Sequence, residues 1–314
     1  MSSTKTLNFS LRQNKAVERS IAFESLRRSR AFLGEQLAYI GFGSVWFQDF
    51  QMAHRILGIE QMISIESDSK VFARADFNRP FRSIEIIKGH SGTVLPRVLA
   101  RKTMRARACV VWLDYDSSLD RAILSELLHL VVELPEQSAL LVTVNAQQGS
   151  YADSVDHRRL AMTELFGEEL IDSRMDDSAF KGHGFMNTLA DSLLNALSHH
   201  ALSNGREGSF VPCIRLPYRD TANMVTVGGL LPRKVDAALF RAEVAAEDWP
   251  GLETGIIATQ PLTIREVQTL SRLLPTNNPI TSADVQALGF ELDIEQIAAF
   301  EKHYLRYPIY AEVR

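Results

Sequence analysis

The sequence has little cysteine, no long hydrophobic run and no excess of basic charge. Cys109 and Cys213 are the only cysteines among 314 residues, which are too few for a disulfide framework or a four-thiolate zinc site. No apolar run reaches the roughly 20 residues that span a bilayer, and the first thirty residues lack the apolar core of a secretory signal. The formal net charge is −4, so no global positive field attracts nucleic acid or anionic lipid. These absences favour a cytoplasmic protein with no membrane partner.

The composition is that of a globular chain, with 46% hydrophobic and 23% charged residues. Its clearest pattern is a series of short apolar runs separated by about 20–30 residues, enough for one helix in each interval. This rhythm predicts parallel strands covered on both faces by helices. The five runs are 36–44, 61–66, 83–88, 108–114 and 138–145.

The pattern changes after Asn145. Residues 150–208 are polar and mostly helical, residues 210–217 and 223–231 read as strands, and the segment beyond Pro232 is helical again. The short connection between the last two strands predicts an antiparallel pair. We therefore predict an α/β, Rossmann-like, mostly parallel seven-stranded sheet with an antiparallel closing hairpin and helices on both faces. A basic arm or helix (1–30) precedes this domain (31–232), the helical insertion is 150–208, and a helical extension (233–314) follows.

Polar and glycine residues follow the first two predicted strands. Gly41-Phe42-Gly43-Ser44 forms the turn after the first strand, where glycines let the backbone approach a ligand and the next helix offers free N–H groups. Glu66 ends the second strand, and an acidic side chain there can accept both hydrogen bonds of a ribose diol. Capping of residues 67–71 is the alternative role for Glu66.

The third and fourth strands end in further candidate residues. His90 and Ser91 follow the third strand, and Asp114-Tyr115-Asp116 ends the fourth. Because carboxyl ends of parallel strands face the ligand crevice, Asp114 is the first candidate for a catalytic side chain and Asp116 the second. Helix capping is the structural alternative for Asp116. Asn145 points to the same crevice, but three scattered oxygen ligands form no recognisable metal motif.

Five parallel strands followed by an antiparallel pair, together with these residues, resemble the class I S-adenosylmethionine-dependent methyltransferases, in particular those described as O-methyltransferases. The resemblance implies an S-adenosylmethionine cofactor against the turn from Tyr39 to Ser44, with its ribose on Glu66. It places the adenine near His90 and Ser91, and an unidentified oxygen or nitrogen acceptor near Asp114 and Asp116. The first motif is divergent, because Tyr39 stands where the family usually has an acidic residue.

Two other functions remain open at this point. The fold can persist without methyl transfer, as a binding or scaffold subunit that meets a protein partner through the helices of 233–314. Modification of nucleic acid would rely on local basic residues that otherwise form solvated helix faces. Those residues are the seven Lys and Arg of residues 1–30 and a stripe made of Arg97, Arg101, Lys102, Arg105 and Arg107.

Overall fold

The computed structural model describes residues 12–105 and 107–308 and contains one seven-stranded sheet in the order β3-β2-β1-β4-β5-β7-β6. β1 to β5 pair in parallel, whereas β7 pairs antiparallel with both β5 and β6. The predicted fold class is thus confirmed. The strands are β1 (Leu37–Gly41), β2 (Gln61–Glu66), β3 (Ile84–Lys88), β4 (Ala108–Ser118), β5 (Ser138–Asn145), β6 (Val211–Arg219) and β7 (Asn223–Leu231).

Helices connect the strands and cover both faces of the sheet. In chain order they are α1 (Gln13–Arg28), α2 (Gln48–Leu57), α3 (Ser69–Phe77), α4 (Ser91–Leu99), α5 (Lys102–Arg105), α6 (Arg121–Glu133), α7 (Val155–Phe166), α8 (Gly182–Ser203), α9 (Lys234–Val244), α10 (Ile264–Ser271), α11 (Ser282–Ala287) and α12 (Ile294–His303). No helix within the described ranges combines the length and apolarity needed to cross a bilayer.

One core lies on each face of the sheet. α4, α6 and α8 bury their apolar sides on one face, and α8 also packs on β6 and β7. The segment 150–208 therefore contributes a helix to the main core. On the opposite face α1, α2 and α9 pack against Tyr39, Trp112 and Leu216. A third and smaller cluster joins α10, α11 and α12.

The position of α1 corrects the expectation that its basic residues form a solvated face. Val17, Phe23 and Leu26 are completely buried, and even Lys15 and Glu18 are almost inaccessible to solvent. Because buried residues occur on more than one side of α1, this helix belongs to the core and not to a solvated surface. Residues 1–11, the rest of the predicted arm, lie outside the described residues.

The sheet has two features that create a crevice at its carboxyl edge. The connections from β1 lead outward to β2 and β3, whereas β4 and β5 lie on its other side, so the crevice opens where the strand order reverses. In addition, β4 is longer than predicted. Its pairing with β5 shifts register between Asp114 and Ser118, and such bulges commonly re-aim side chains next to functional sites.

Candidate functional site

A cavity of about 800 Å³ lies at the carboxyl ends of the first four strands. It brings together eight of the ten residues proposed from the sequence, namely Phe42, Gly43, Ser44, Glu66, His90, Ser91, Asp114 and Asp116. Tyr39 and Gly41 do not line the cavity. Tyr39 is completely buried, and a Cβ atom on Gly41 would lie 2.9 Å from the carbonyl oxygen of Trp112, so these two residues serve the packing beneath the turn.

The turn after β1 is tightly packed and strained. Ser44 and Phe47 adopt left-handed conformations with φ near 50°, which non-glycine residues rarely do away from functional sites. A Cβ atom on Gly43 would lie 2.4 Å from the Phe47 ring and 2.8 Å from Ser64 Oγ. The amide of Gly43 donates a 3.1 Å hydrogen bond to the same Oγ. Glycine is therefore required at position 43 by the packing of the turn itself.

A carboxylate reaches the turn from α2. The Tyr39 hydroxyl donates a 2.7 Å hydrogen bond to Asp49 Oδ2, and Asp49 lines the cavity. Burial raises the pKa of Asp49, while the hydrogen bond from Tyr39 and the positive charge of Arg19 oppose that rise. The first motif has Tyr39 where the family usually has an acidic residue, and the carboxylate of Asp49 is hydrogen-bonded to that tyrosine.

Glu66 lines the cavity at the end of β2, as the sequence predicts for a ribose ligand. Its Oε1 accepts a 2.9 Å hydrogen bond from the amide of Asp68. Capping of α3 falls instead to Asp68, whose Oδ1 accepts from the amides of Lys70 and Val71. Burial raises the pKa of Glu66, and the backbone hydrogen bond from Asp68 counteracts this. Asp68 is therefore the N-cap of α3, while Glu66 accepts a backbone hydrogen bond from the segment just before that helix.

The adenine candidates adjoin an aromatic and acidic wall. Ser91 Oγ lies 3.2 Å from the Tyr115 hydroxyl and donates a 3.1 Å hydrogen bond to Glu126 Oε2. The Tyr115 ring packs edge-on against Phe42, with centroids 5.2 Å apart. This wall separates the main cavity from a groove of about 780 Å³ between α4 and α6.

Asp114, the first catalytic candidate, is bound by a lysine that sequence reasoning did not select. Lys15 Nζ lies 3.0 Å from Oδ1 and 2.9 Å from Oδ2 of Asp114, and 3.4 Å from Glu18 Oε2. The ammonium also lies 5.4 Å from the Trp112 ring and 5.2 Å from the Tyr218 ring. Burial opposes protonation of Lys15, but the two carboxylates outweigh it, so its pKa is raised.

α1 also contributes Arg19, a second cation that the sequence pattern did not indicate as a site residue. Arg19 lines the cavity and is 8% exposed. The signal that could have identified α1 is the presence of the apolar residues Val17, Ile21 and Leu26 among its basic ones. Across residues 12–105 and 107–308, no group of three or more His, Cys, Asp or Glu side chains is placed to hold a metal ion.

Several solved structures have a similar fold but are distant in sequence. The chain is similar to Trm1 from Pyrococcus horikoshii in complex with S-adenosyl-L-methionine, with 10% identity over 76% of this chain and 59% of that one, and a TM-score of 0.48. It is also similar to the plantazolicin methyltransferase BamL in complex with a triazolic desmethylPZN analog and SAH, with 11% identity over 69% and 85% of the two chains and a TM-score of 0.38. The fibrillarin/Nop5p complex gives 12% identity, coverage of 68% and 82%, and a TM-score of 0.39. Likenesses this remote do not identify a function.

Sequence comparison gives a more specific result. No curated protein sequence matches this chain significantly. However, the model of the family described as "Putative O-methyltransferase" matches residues 7–314. This match covers almost the whole sequence and confirms the resemblance predicted from the strand order and the motif residues. The chain therefore belongs to this O-methyltransferase family.

Proposed function

We propose that the protein transfers a methyl group from S-adenosylmethionine to a hydroxyl oxygen of its acceptor. The observation that carries this proposal is the single cavity in which the turn after β1, Glu66, Ser91 and Asp114 meet. Its volume of about 800 Å³ lies within the range of small-molecule and cofactor sites. Membership of the family supports the same reaction class.

The lining residues suit the parts of this cofactor. Glu66 offers carboxylate oxygens to the ribose hydroxyls, and charge-assisted hydrogen bonds of this kind are the strong ones. The rings of Phe42 and Tyr115 offer apolar surface, and His90 and Ser91 offer polar groups beside them, as adenine recognition requires. Bound in this way, S-adenosylmethionine would supply an electrophilic methyl group on a sulfonium.

The protein's own residues would then position the acceptor. Lys15 approaches both oxygens of Asp114, which fixes this carboxylate and competes for its lone pairs. We assign Asp114 to orienting the acceptor hydroxyl and Asp116 to accepting its proton. Holding the oxygen in line with the methyl carbon supplies much of the rate acceleration in such a transfer.

Calorimetric titration with S-adenosylhomocysteine tests the proposal directly. We expect binding by the unmodified protein and a roughly 10- to 100-fold weaker Kd for Glu66→Gln, because charged hydrogen bonds to the ribose are lost. Glu60→Gln is the matched control, since Glu60 is exposed just before the same strand. Absence of binding by the unmodified protein would refute the proposed function, and unchanged binding by Glu66→Gln would remove Glu66 from it.

The nucleic-acid alternative finds less support in the positions of the basic residues. Lys15 forms an ion pair with Asp114, and Arg28 forms ion pairs with Glu243 and Asp248. In the basic stripe from Arg97 to Arg107, Arg101 forms a bidentate ion pair with Glu85. Interaction with nucleic acid, and with a protein partner through the C-terminal helices, stays a prediction.

A further inference from the structure

The groove between α4 and α6 is a second cavity, which the proposed methyl transfer does not use. α4 follows β3 and α6 follows β4 on the same face of the sheet, so both helices run away from the carboxyl edge of the sheet, side by side and in the same direction. The groove has a volume of about 780 Å³, which is within the range of small-molecule sites. Ser91 and Tyr115 line both this groove and the main cavity.

The groove has an apolar floor that follows the two helices. α4 contributes Leu95 and Leu99, and α6 contributes Ile123 and Leu130. The seven residues from Ile123 to Leu130 correspond to about 10 Å of helix, which is the length of an extended alkyl chain of about eight carbons. Because burial of apolar surface is favourable and requires no particular geometry, this floor suits a linear apolar group.

A partly buried carboxylate lies at the inner end of this floor. Glu126 extends from α6 to the start of α4, where its Oε2 accepts a 3.1 Å hydrogen bond from Ser91 and would lie 3.3 Å from a Cβ atom on Gly92. Its other oxygen, Oε1, is shielded from solvent and has no hydrogen-bond partner in the described part of the chain. Burial raises the pKa of Glu126, and hydrogen bonds from the neutral hydroxyls of Ser91 and Tyr115 oppose this rise.

The charges along the groove favour a cation at Glu126. The start of α4 offers this carboxylate only the partial positive charge of a helix end. At the outer end of the groove, Arg105 and Glu133 are both exposed, so their opposite charges offset each other and are screened by water and salt. Glu126 is half-buried, where Coulomb interactions are stronger. The sign of charge that the groove prefers is therefore set by Glu126.

We propose that the groove between α4 and α6 binds a small amphipathic amine, with its ammonium at Glu126 and its alkyl chain along Leu95 and Leu130. The ammonium would offer a full positive charge to the carboxylate, and the chain would cover the apolar floor. Because Ser91 and Tyr115 line the main cavity as well, the hydrogen bonds of Glu126 would link the two cavities. The site does not depend on the proposed methyl transfer.

Three probes with the same alkyl chain test the preference for a cation. They are octylammonium, octanol and octanoate, which carry a positive, a neutral and a negative head group. By calorimetric titration we expect a Kd of roughly 0.1–1 mM for octylammonium and affinities roughly 10-fold weaker for the other two. Glu126→Gln should reduce the affinity for octylammonium to that for octanol and leave octanol unchanged. Glu136→Gln, which changes an exposed glutamate just beyond α6, is the matched control and should change nothing.

A second pair of variants tests whether the amine lies in the groove or in the main cavity. Ala100 lines the groove at the end of α4 and is exposed, so Ala100→Phe would place a ring where the alkyl chain lies. We expect it to weaken the binding of octylammonium and octanol roughly 10-fold. Ala73→Phe makes the same change at an exposed position on α3 and should leave both affinities unchanged. Thermal melting of each variant checks that it is folded.

Several outcomes would overturn the proposal. These are no binding of octylammonium, equal binding of octylammonium and octanol, and unchanged binding by Glu126→Gln. Tighter binding of octanoate would show that Arg105 sets the preferred charge. Unchanged binding by Ala100→Phe would place the amine outside the groove. Titration with S-adenosylhomocysteine is a separate measurement, so its failure would refute the proposed function and leave the amine site standing, and the reverse result would do the opposite.

Discussion

At the scale of single residues, the most consequential contact is the buried ion pair of Lys15. Its side chain is 4% exposed and that of Glu18 is completely buried, whereas Asp114 retains 32% exposure at the cavity. The oxygens of Glu18 accept no hydrogen bond of standard geometry from the described residues. Lys15 is thus the charge that makes burial of Glu18 tolerable, and it also holds Asp114 in place.

Removing Lys15 should therefore destabilise the protein more than removing both charges. We expect Lys15→Met to lower the free energy of unfolding by about 3–5 kcal/mol, because it leaves a buried carboxylate unpaired. The double variant Lys15→Met/Glu18→Gln should recover part of that loss. Urea unfolding at neutral pH measures both values, and a double variant less stable than Lys15→Met would contradict this account.

At the scale of elements, α1 shows what a local pattern cannot reveal. Its basic residues suggest a solvated arm, yet Lys15 and Arg28 form ion pairs with residues far away in the chain, such as Asp114, 99 positions from Lys15. Such pairing is invisible without the fold, and the same holds for the approach of Asp49 to Tyr39. The strands were predictable because their runs of apolar residues are buried on both faces, as in β5.

The ends of elements were less predictable than their existence. The extension of β4 to Ser118 depends on its shifted pairing with β5. No pattern within residues 114–118 predicts this pairing. The capping box at Thr263 and Glu266 is a feature that the sequence does encode locally, because both partners lie within one turn. Ribose and acceptor roles at Glu66 and Asp114 stay predictions, since they depend on ligands.

Because α1 is a core helix, we expect that truncation of one of its buried side chains strongly lowers the free energy of unfolding. Phe23 is completely buried, with its ring 5.8 Å from that of Trp112 and 6.4 Å from that of Tyr39. We expect Phe23→Ala to cost about 3–5 kcal/mol of unfolding free energy. Phe77→Ala is the control, because Phe77 is 89% exposed and should change stability by less than about 0.5 kcal/mol. Similar values for the two variants would show that α1 does not belong to the core.

At the scale of the whole molecule, the C-terminal helices hold α1 over the sheet. Gln13 donates hydrogen bonds to Thr259 Oγ1 and to the carbonyl of Gln260, and Arg306 Nε donates a 2.8 Å bond to Glu24. Lys302 forms an ion pair with Glu253. These contacts join the third apolar cluster to the cavity side of the protein through α1. Protonation that weakens the packing of α12 should therefore lower the stability of the whole protein.

His303 at the end of α12 gives this link a pH dependence. It is 4% exposed, and burial lowers its pKa from 6.5 to about 4, with Glu253 opposing and Lys302 and Arg306 adding to the shift. Because the folded pKa is below the unfolded one, the unfolded chain binds the proton first. The contribution of neutral His303 is present above pH 6.5 and is lost as the pH falls towards 4, by up to about 3 kcal/mol.

Urea unfolding of the unmodified protein and His303→Gln between pH 7 and pH 4 measures this contribution. His303→Gln removes the titrating group, so the stability gap between the two proteins should shrink steadily as the pH falls. His199→Gln, which changes an exposed histidine, should track the unmodified protein throughout. A gap independent of pH would mean that His303 titrates alike in both states, and the C-terminal helices would then lack this sensitivity to acid.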